Sequence, residues 1–355
     1  TGYPYSKSKI DFESLGAKAF NPGARIIRTV SGKPKITTYS DPLRRPISSL
    51  RLLGAERWSD LIGMAKLRLS LGRKDIQKTF SGGDASTHEY LRQSGLSDSF
   101  IDRLLRPLFA GIFLESKLDT NERLFRFIFA SMSKGDMVLP RKGVGAYPNH
   151  LAKKIGPERI YLSTSAYAED PMTIIIDGQR KTVDQVVVAH PPSSEEKSMR
   201  AVWTVYFDSP RSPAPGKFLL LNGDYELGKT AIAHMAVPSD VQPSYAPEGR
   251  SLVVATIVGD AADSLNLNNA EAVESRARKE IEQWFPDCKN WKTLDVQHIN
   301  AALPSHGGGA NLPFSRSISE NEIITCGDHM THASMQGAVN SAETAANEAI
   351  RRIQN

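Results

Sequence analysis

The sequence predicts an α/β protein of more than one domain, and three observations carry that prediction. Runs of β-branched and apolar residues of strand length, separated by turn residues, occupy 24–39 and much of 159–258. Between them, residues 47–129 switch to the 3.6-residue period of helices. Finally, the uniformly apolar run Val186-Val187-Val188-Ala189 suits a strand buried on both faces of a parallel sheet. At 355 residues the chain exceeds the usual size of one core, so two domains, with interleaving allowed, are expected.

In chain order, Ala24 to Tyr39 read as two short strands around the hairpin signal Ser31-Gly32-Lys33-Pro34, and Pro42 and Pro46 close that unit. Trp58, Leu61, Ile62, Ala65 and Leu69 then recur at helical spacing. Helix breakers return at Gly135 to Pro148, followed by a helix at Asn149 to Ile155. Strands are expected at Arg159 to Leu162, Met172 to Asp177 and Gln185 to Ala189, with Asp177-Gly178 as a hairpin turn. Further strands are expected at Ala201 to Phe207, Phe218 to Leu221 and Leu252 to Val258, then a helix from Ala270 to Trp284. The chain ends on the apolar strand Glu322 to Cys326, a turn of small residues and a long helix to Ile353.

Composition narrows the function classes. No apolar run approaches the roughly 20 residues of a membrane span, and hydrophobic and charged contents of 40% and 23% are those of an ordinary globular chain. Two cysteines, Cys288 and Cys326, argue against a disulfide framework, which makes a reducing interior the default compartment. The chain opens on Thr1 without a charged-then-apolar leader, so Thr1 is not expected to be the translational start. The net charge of +5 is unevenly spread: residues 1–80 hold 16 Lys and Arg against 6 Asp and Glu, and the remainder 28 against 33. A basic front end of this kind faces an anionic membrane surface or an acidic protein partner, or is simply a solvated face; no nucleic-acid partner is expected.

Three local patterns imitate known sites. Gly223-Asp224-Tyr225-Glu226-Leu227-Gly228-Lys229-Thr230 fits the phosphate-loop spacing of nucleoside triphosphatases. Asp224 and Glu226, however, would place carboxylates where amides must cradle phosphate, and Pro238 leaves little room for the following helix, so a strand-to-strand loop is preferred. His306-Gly307-Gly308-Gly309 resembles a lipase oxyanion turn, but no G-x-S-x-G serine elbow exists, which leaves a flexible loop. Cys326, Asp328, His329 and His332 are a compact set of metal-ligand types without a second pair of familiar spacing, so no metal site is assigned.

The terminal segment Glu322 to Ile350 offers more. A strand runs into Gly327, where a missing side chain lets backbone approach a ligand, and Asp328 offers a carboxylate to hydroxyls. Ala333-Ser334 leads into a helix whose inner face is read as small: Gly337, Ala338, Ser341, Ala342, Ala345 and Ala346. Its N-terminal amides and partial positive charge suit an anion developing beyond the strand end.

This segment resembles the C-terminal flavin motif of the FAD-dependent amine oxidase, phytoene desaturase and protoporphyrinogen oxidase superfamily, with Ala342 in place of the later glycine. Other matches keep the family's order: Arg106 to Leu114, Leu139 to Pro148, Asp184 to Pro191, Trp284-Phe285-Pro286 and Ala302-Leu303-Pro304. The resemblance implies an FAD-binding Rossmann-like domain, incomplete at its N-terminus, interleaved with a mixed-sheet substrate domain and a helical subdomain. It implies residues 1–40 as substrate-domain strands, 41–134 as the helical subdomain, 135–192 as an FAD-domain segment, 193–295 as the substrate-domain sheet and 296–355 as the C-terminal FAD-domain segment. It further implies that Gly327 and Asp328 meet the FAD pyrophosphate or ribityl chain, and that Ser334, Met335, Gln336, Gly337 and Ala338 meet the pyrimidine end of the flavin. The expected substrate is a hydrophobic small molecule. In relatives acting on carotenoids or porphyrinogens the helical part touches membrane, so a plastid or peripheral-membrane location is compatible with the resemblance.

Such enzymes also open on a strand, a G-x-G-x-x-G turn and a helix for the FAD diphosphate. No such motif occurs in this chain, and Gly82-Gly83 stands elsewhere. The expectation is therefore the C-terminal three-quarters of such an enzyme, with a non-catalytic flavoprotein-fold subunit of a membrane-associated assembly as the alternative and a phosphate-loop NTPase third.

Overall fold

The computed structural model describes residues 1–4, 10–41, 44, 57–73, 75–191, 198–307 and 322–354. Contacts divide the chain into two units, residues 1–2, 12–144 and 199–310 forming one and residues 3–11, 145–198 and 311–355 the other. Elements are numbered along the chain. The expected turn at Pro42 and Pro46, the start of the helical block before residue 57, and Gly308-Gly309 lie outside the described residues.

The first unit is built on a seven-stranded mixed sheet. β2 (Gly23–Val30) and β3 (Lys33–Ser40) pair in the expected hairpin, closed by Ser31 and Gly32, both at positive φ (51° and 73°). That two-residue geometry matches the right-handed twist of the strands it joins. β9 (Met199–Ser209), β10 (Leu219–Asn222), β11 (Ile232–Ala236), β12 (Ser251–Val258) and β13 (Lys292–Pro304) complete the order β13-β9-β12-β11-β10-β2-β3. Only β10 and β2 run parallel; the other pairs are antiparallel. β13 runs unbroken through position 296 to Pro304. A short pair, β1 (Lys18–Ala19) with β4 (Val138–Leu139), stands apart from this sheet.

One face of the sheet is closed by helix α6 (Ala270–Trp284). Asn269 caps it by accepting the Ala272 N–H at 2.9 Å, as expected of an N-cap asparagine. Val273, Ala277, Ile281 and Trp284 recur at helical spacing and pack with Val205, Phe207, Val253 and Ile257. The helical part comprises α1 (Trp58–Arg73), α2 (Thr87–Gln93), α3 (Arg106–Phe113) and α4 (Glu122–Lys134). A reciprocal Ser86–Glu89 capping box starts α2. Phe109, Phe125 and Phe129 pack ring to ring, with centroids 4.7 and 5.5 Å apart.

Helix α1 forms where its period predicts, but its faces are reversed. Asp60, Gly63, Leu67 and Leu71 are buried, whereas Trp58, Ile62 and Leu69 are 64%, 51% and 39% exposed. The inward turn follows from Asp60, whose carboxylate accepts the Ser97 N–H at 2.7 Å and hydroxyl at 2.8 Å. A charge buried by such bonds fixes the rotation of the helix more firmly than an apolar stripe does.

The second unit holds α5 (Ala146–Ile155), a meander of β5 (Ala166–Asp170), β6 (Thr173–Ile176) and β7 (Gln179–Thr182), the parallel pair β8 (Val187–Val188) and β14 (Ile324–Thr325), and α7 (Met335–Gln354). The Asp177-Gly178 hairpin turn is present, with φ of 48° and 80°. Arg159 to Leu162 is not a strand: Pro157–Arg159 forms a single 3₁₀ turn, and Tyr161 and Leu162 are over 80% exposed with nothing to pair against. The run Val186–Ala189 is not buried on both faces either. Val186 is buried but Val187 is 42% exposed, because among the described residues β8 has one partner strand, β14, and does not sit inside a wider sheet.

Candidate functional site

The terminal segment folds into a tight turn between β14 and α7. Cys326 N–H continues the ladder to the Val188 carbonyl at 2.9 Å, and the chain then passes through Gly327 at φ 145°, ψ 172°. That conformation is essentially closed to a residue with a Cβ, and the His329 ring lies where a Cβ would project. Gly327 N–H is held by the Ser341 hydroxyl at 3.1 Å, which ties the strand end to the second turn of α7. Burial raises the Asp328 carboxyl above its ordinary range, an effect partly opposed by bonding and charge at His329.

Ser334 starts α7. Its hydroxyl accepts the Gly337 N–H at 3.0 Å and lies 3.0 Å from His332 Nδ1, and its carbonyl accepts the Ala338 N–H. Gly337 is required by close approach, because a Cβ there would overlap the His332 carbonyl. Among the described residues, Thr331 Oγ1 is buried without a hydrogen-bond partner beside the same glycine. An orphaned buried hydroxyl next to a 20-residue helix N-terminus is a pattern expected where a polar ligand completes the bonding. The structure thus brings Gly327, Asp328, Ser334, Met335, Gln336, Gly337 and Ala338 onto one continuous turn and first helical turn.

Details of that segment depart from expectation. The buried face of α7 is Gln336, Gly337, Ser341 and Ala345, while Ala342 and Ala346 are exposed. The helix is rotated so that Ser341 reaches Gly327, which a face chosen only for smallness does not foresee. Cys326, Asp328, His329 and His332 do not converge: His329 lies against Gly327 and His332 toward Ser334. Among the described residues no group of three or more such side chains is placed to hold a metal ion.

The two other lookalikes resolve structurally. Residues 223–231 join the antiparallel strands β10 and β11, and a strand rather than a helix follows Lys229. Asp224 accepts the Thr29 N–H at 2.6 Å, Lys229 pairs in solvent with Glu226, and the Ala231 and Ile232 amides face the buried Glu280 carboxylate. Amides already committed to a carboxylate do not cradle phosphate, so the phosphate-loop reading is overturned. His306 is not in a loose loop: it is 3% exposed, its carbonyl accepts the Asn121 N–H, and Gly307 bridges Thr120. Burial, assisted by Arg200, lowers the His306 pKa to about 4. His234 on β11 is also held near pKa 4 by burial, with its ring against Gly111 of α3.

Within the first unit the sheet and helices line an open cavity of about 450 Å³. Its wall is mostly apolar, drawn from Phe20, Leu61, Met64, Phe100, Leu104 and Phe129 among others. Among the described residues, four charged ones also line it. Arg68 pairs with Asp41 at 3.1 Å, and Arg44 with Asp136 at 2.8 Å. Sequence reasoning missed this cavity entirely. Its walls come from positions as distant as Phe20 and Leu219, and the only local signal was the run of Leu and Phe between 100 and 132.

A mixed sheet packed by helices in the first unit, with a strand, glycine turn and helix in the second, is a mixed α/β fold. Residues 40–214 and 205–350 match the family of flavin containing amine oxidoreductases, and the chain belongs to it. Members of this family are flavin-dependent. No curated protein matches the sequence. Among solved structures, the fold is similar to an oxidoreductase from Methanosarcina mazei (TM-score 0.69, 13% identity, 93% of this chain and 82% of that one). Cyclohexylamine oxidase from Brevibacterium oxydans is also similar (0.64, 11%, 97% and 84%). So is a protein described as a protoporphyrinogen oxidase from Exiguobacterium (0.64, 15%, 99% and 85%). Among the described residues no helix is long and apolar enough to cross a membrane.

Proposed function

We propose that the protein is an FAD-dependent oxidoreductase, desaturase- or oxidase-like, acting on a hydrophobic substrate. The single observation that supports the substrate class is the cavity of about 450 Å³, lined by aromatic and aliphatic side chains, a size within the usual range for small-molecule sites. Family membership and the orphaned Thr331 hydroxyl beside the Gly327–Gly337 turn support FAD. When bound, FAD supplies hydride acceptance.

The chain's own part is positioning and electrostatics. Gly327 and Asp328 hold the pyrophosphate or ribityl chain, Gly327 by its bare backbone and Asp328 by accepting hydroxyls. Ser334, Met335, Gln336, Gly337 and Ala338, at the positive N-terminal end of α7, would hold the pyrimidine end of the flavin. The apolar cavity wall excludes water from the substrate. No general base is assigned.

The test is the absorption spectrum of the purified full-length protein. Bound flavin bands that are lost in Gly337→Ala support the proposal; a colourless protein that takes up no added FAD contradicts it.

A membrane surface is the partner this reading favours. Trp58, Ile62 and Leu69 form an exposed apolar stripe on α1, flanked by Arg57, Lys66 and Arg73, which matches an anionic bilayer in both polarity and charge. Co-sedimentation with phosphatidylserine vesicles, abolished in a Trp58→Ser, Ile62→Ser double variant, is the expected result. Equal pelleting of both proteins removes this partner.

A further inference from the structure

We infer that the cavity of the first unit takes an apolar molecule ending in a carboxylate, read by Arg44 and Arg68; the inference rests on that cavity being the substrate site proposed above. The charged groups in a mostly apolar wall are the starting point. The Arg68 and Asp41 side chains are only 13% and 16% exposed. Burying such a pair costs desolvation that an apolar pair of similar volume avoids, so it is weak as a stabilising device.

The geometry of the two pairs is incomplete in the same way. Arg68 uses Nε and Nη2 on the single oxygen Oδ2 of Asp41, and Arg44 meets Asp136 through Nη1 alone. Neither pair is the two-oxygen fork that guanidinium and carboxylate form at full strength. Both guanidiniums have a second anchor that does not depend on the aspartates. Arg68 donates to the Ser133 carbonyl at 3.0 Å and Arg44 to the Gly135 carbonyl at 3.1 Å, at the C-terminal end of α4. That end carries partial negative charge and holds cations in place.

The sign of the ligand follows. An incoming carboxylate can take the Arg44 fork while Asp136, already 50% exposed, turns into solvent and Gly135 keeps the guanidinium fixed. A cationic head would instead have to expel Arg68, which is nearly buried, from both Asp41 and a helix end.

The experiment is calorimetric binding of palmitate, hexadecanol and hexadecylamine to the full-length protein, with flavin content measured separately so that failure of the cofactor reading is seen on its own. Palmitate is expected to bind about ten-fold more tightly than hexadecanol, the worth of a charge-assisted hydrogen bond. Arg44→Met and Arg68→Met should erase that preference while hexadecanol binding stays, which shows the cavity is intact. If either Met variant fails to fold, Arg44→Lys, which keeps charge and loses the fork, should retain an intermediate preference. Equal binding of all three probes overturns the inference, as does preference for hexadecylamine that disappears in Asp41→Asn.

Discussion

The two units differ in what holds them together. The first has a seven-stranded sheet with a large buried cluster against α6 and an aromatic stack in its helical part. In the second, the cluster around the glycine turn consists, among the described residues, of Ile324, Cys326 and Ala345, with Ala349 packed against it. Burial of apolar area is the main source of stability, so the first unit is expected to be the more stable of the two, and FAD on the turn is expected to add to the stability of the second. The proposed cofactor residues therefore sit on the unit with the smaller apolar cluster among the described residues.

The largest effect that separates the units should come from Phe125→Ala. Phe125 is fully buried between Phe109 and Phe129, and its truncation is expected to cost about 3–5 kcal/mol. In calorimetry the transition of the first unit should fall while the second is unchanged; a uniform fall would mean the units do not melt separately.

Acid should act on the units with opposite signs. His234 and His306 in the first unit are neutral in the fold with pKa values lowered from 6.5 to about 4. Their contribution is complete above pH 6.5 and lost as pH falls from there toward 4, at most on the order of 3 kcal/mol each. Asp328 in the second unit is raised, so the folded state holds its proton more tightly and that unit gains as pH falls. Urea melts followed at pH 7 and pH 5 by probes in each unit would show it. Parallel weakening of both contradicts the assignment.

Smaller effects come from the turn. Gly327→Ala forces a Cβ into φ 145° against His329, at about 1–3 kcal/mol of strain, and should weaken FAD retention more than it lowers the melting temperature. Asp328→Asn should slightly raise the melting temperature at pH 7, because it removes a partly buried charge, while weakening FAD binding. If Asn raises both, Asp328 is not a cofactor ligand.

How far these features were legible in the sequence varies with how local their causes are. The helix Ala270–Trp284 was legible because period and N-cap agree, and the β2–β3 hairpin because Ser31-Gly32 suits a two-residue turn. The glycine turn was legible since its geometry is demanded by backbone alone. By contrast, β11 reads Ile-Ala-His-Met-Ala, short and adjacent to a phosphate-loop imitation. β13 is a polar edge strand with little alternation, and its pairing to β9 fixes it. The rotation of α1 depends on Asp60 meeting Ser97, 37 positions away. The cavity depends on walls brought together only by the whole first unit.

The central claim is that flavin binds on the Gly327–Ala338 turn, and amide hydrogen exchange of the full-length protein with and without FAD tests it most directly. Protection is predicted to rise across residues 323–345, with the amides of Gly327 and the first turn of α7 slowed most. Unchanged exchange through that segment, under conditions where FAD is demonstrably bound, would contradict the account.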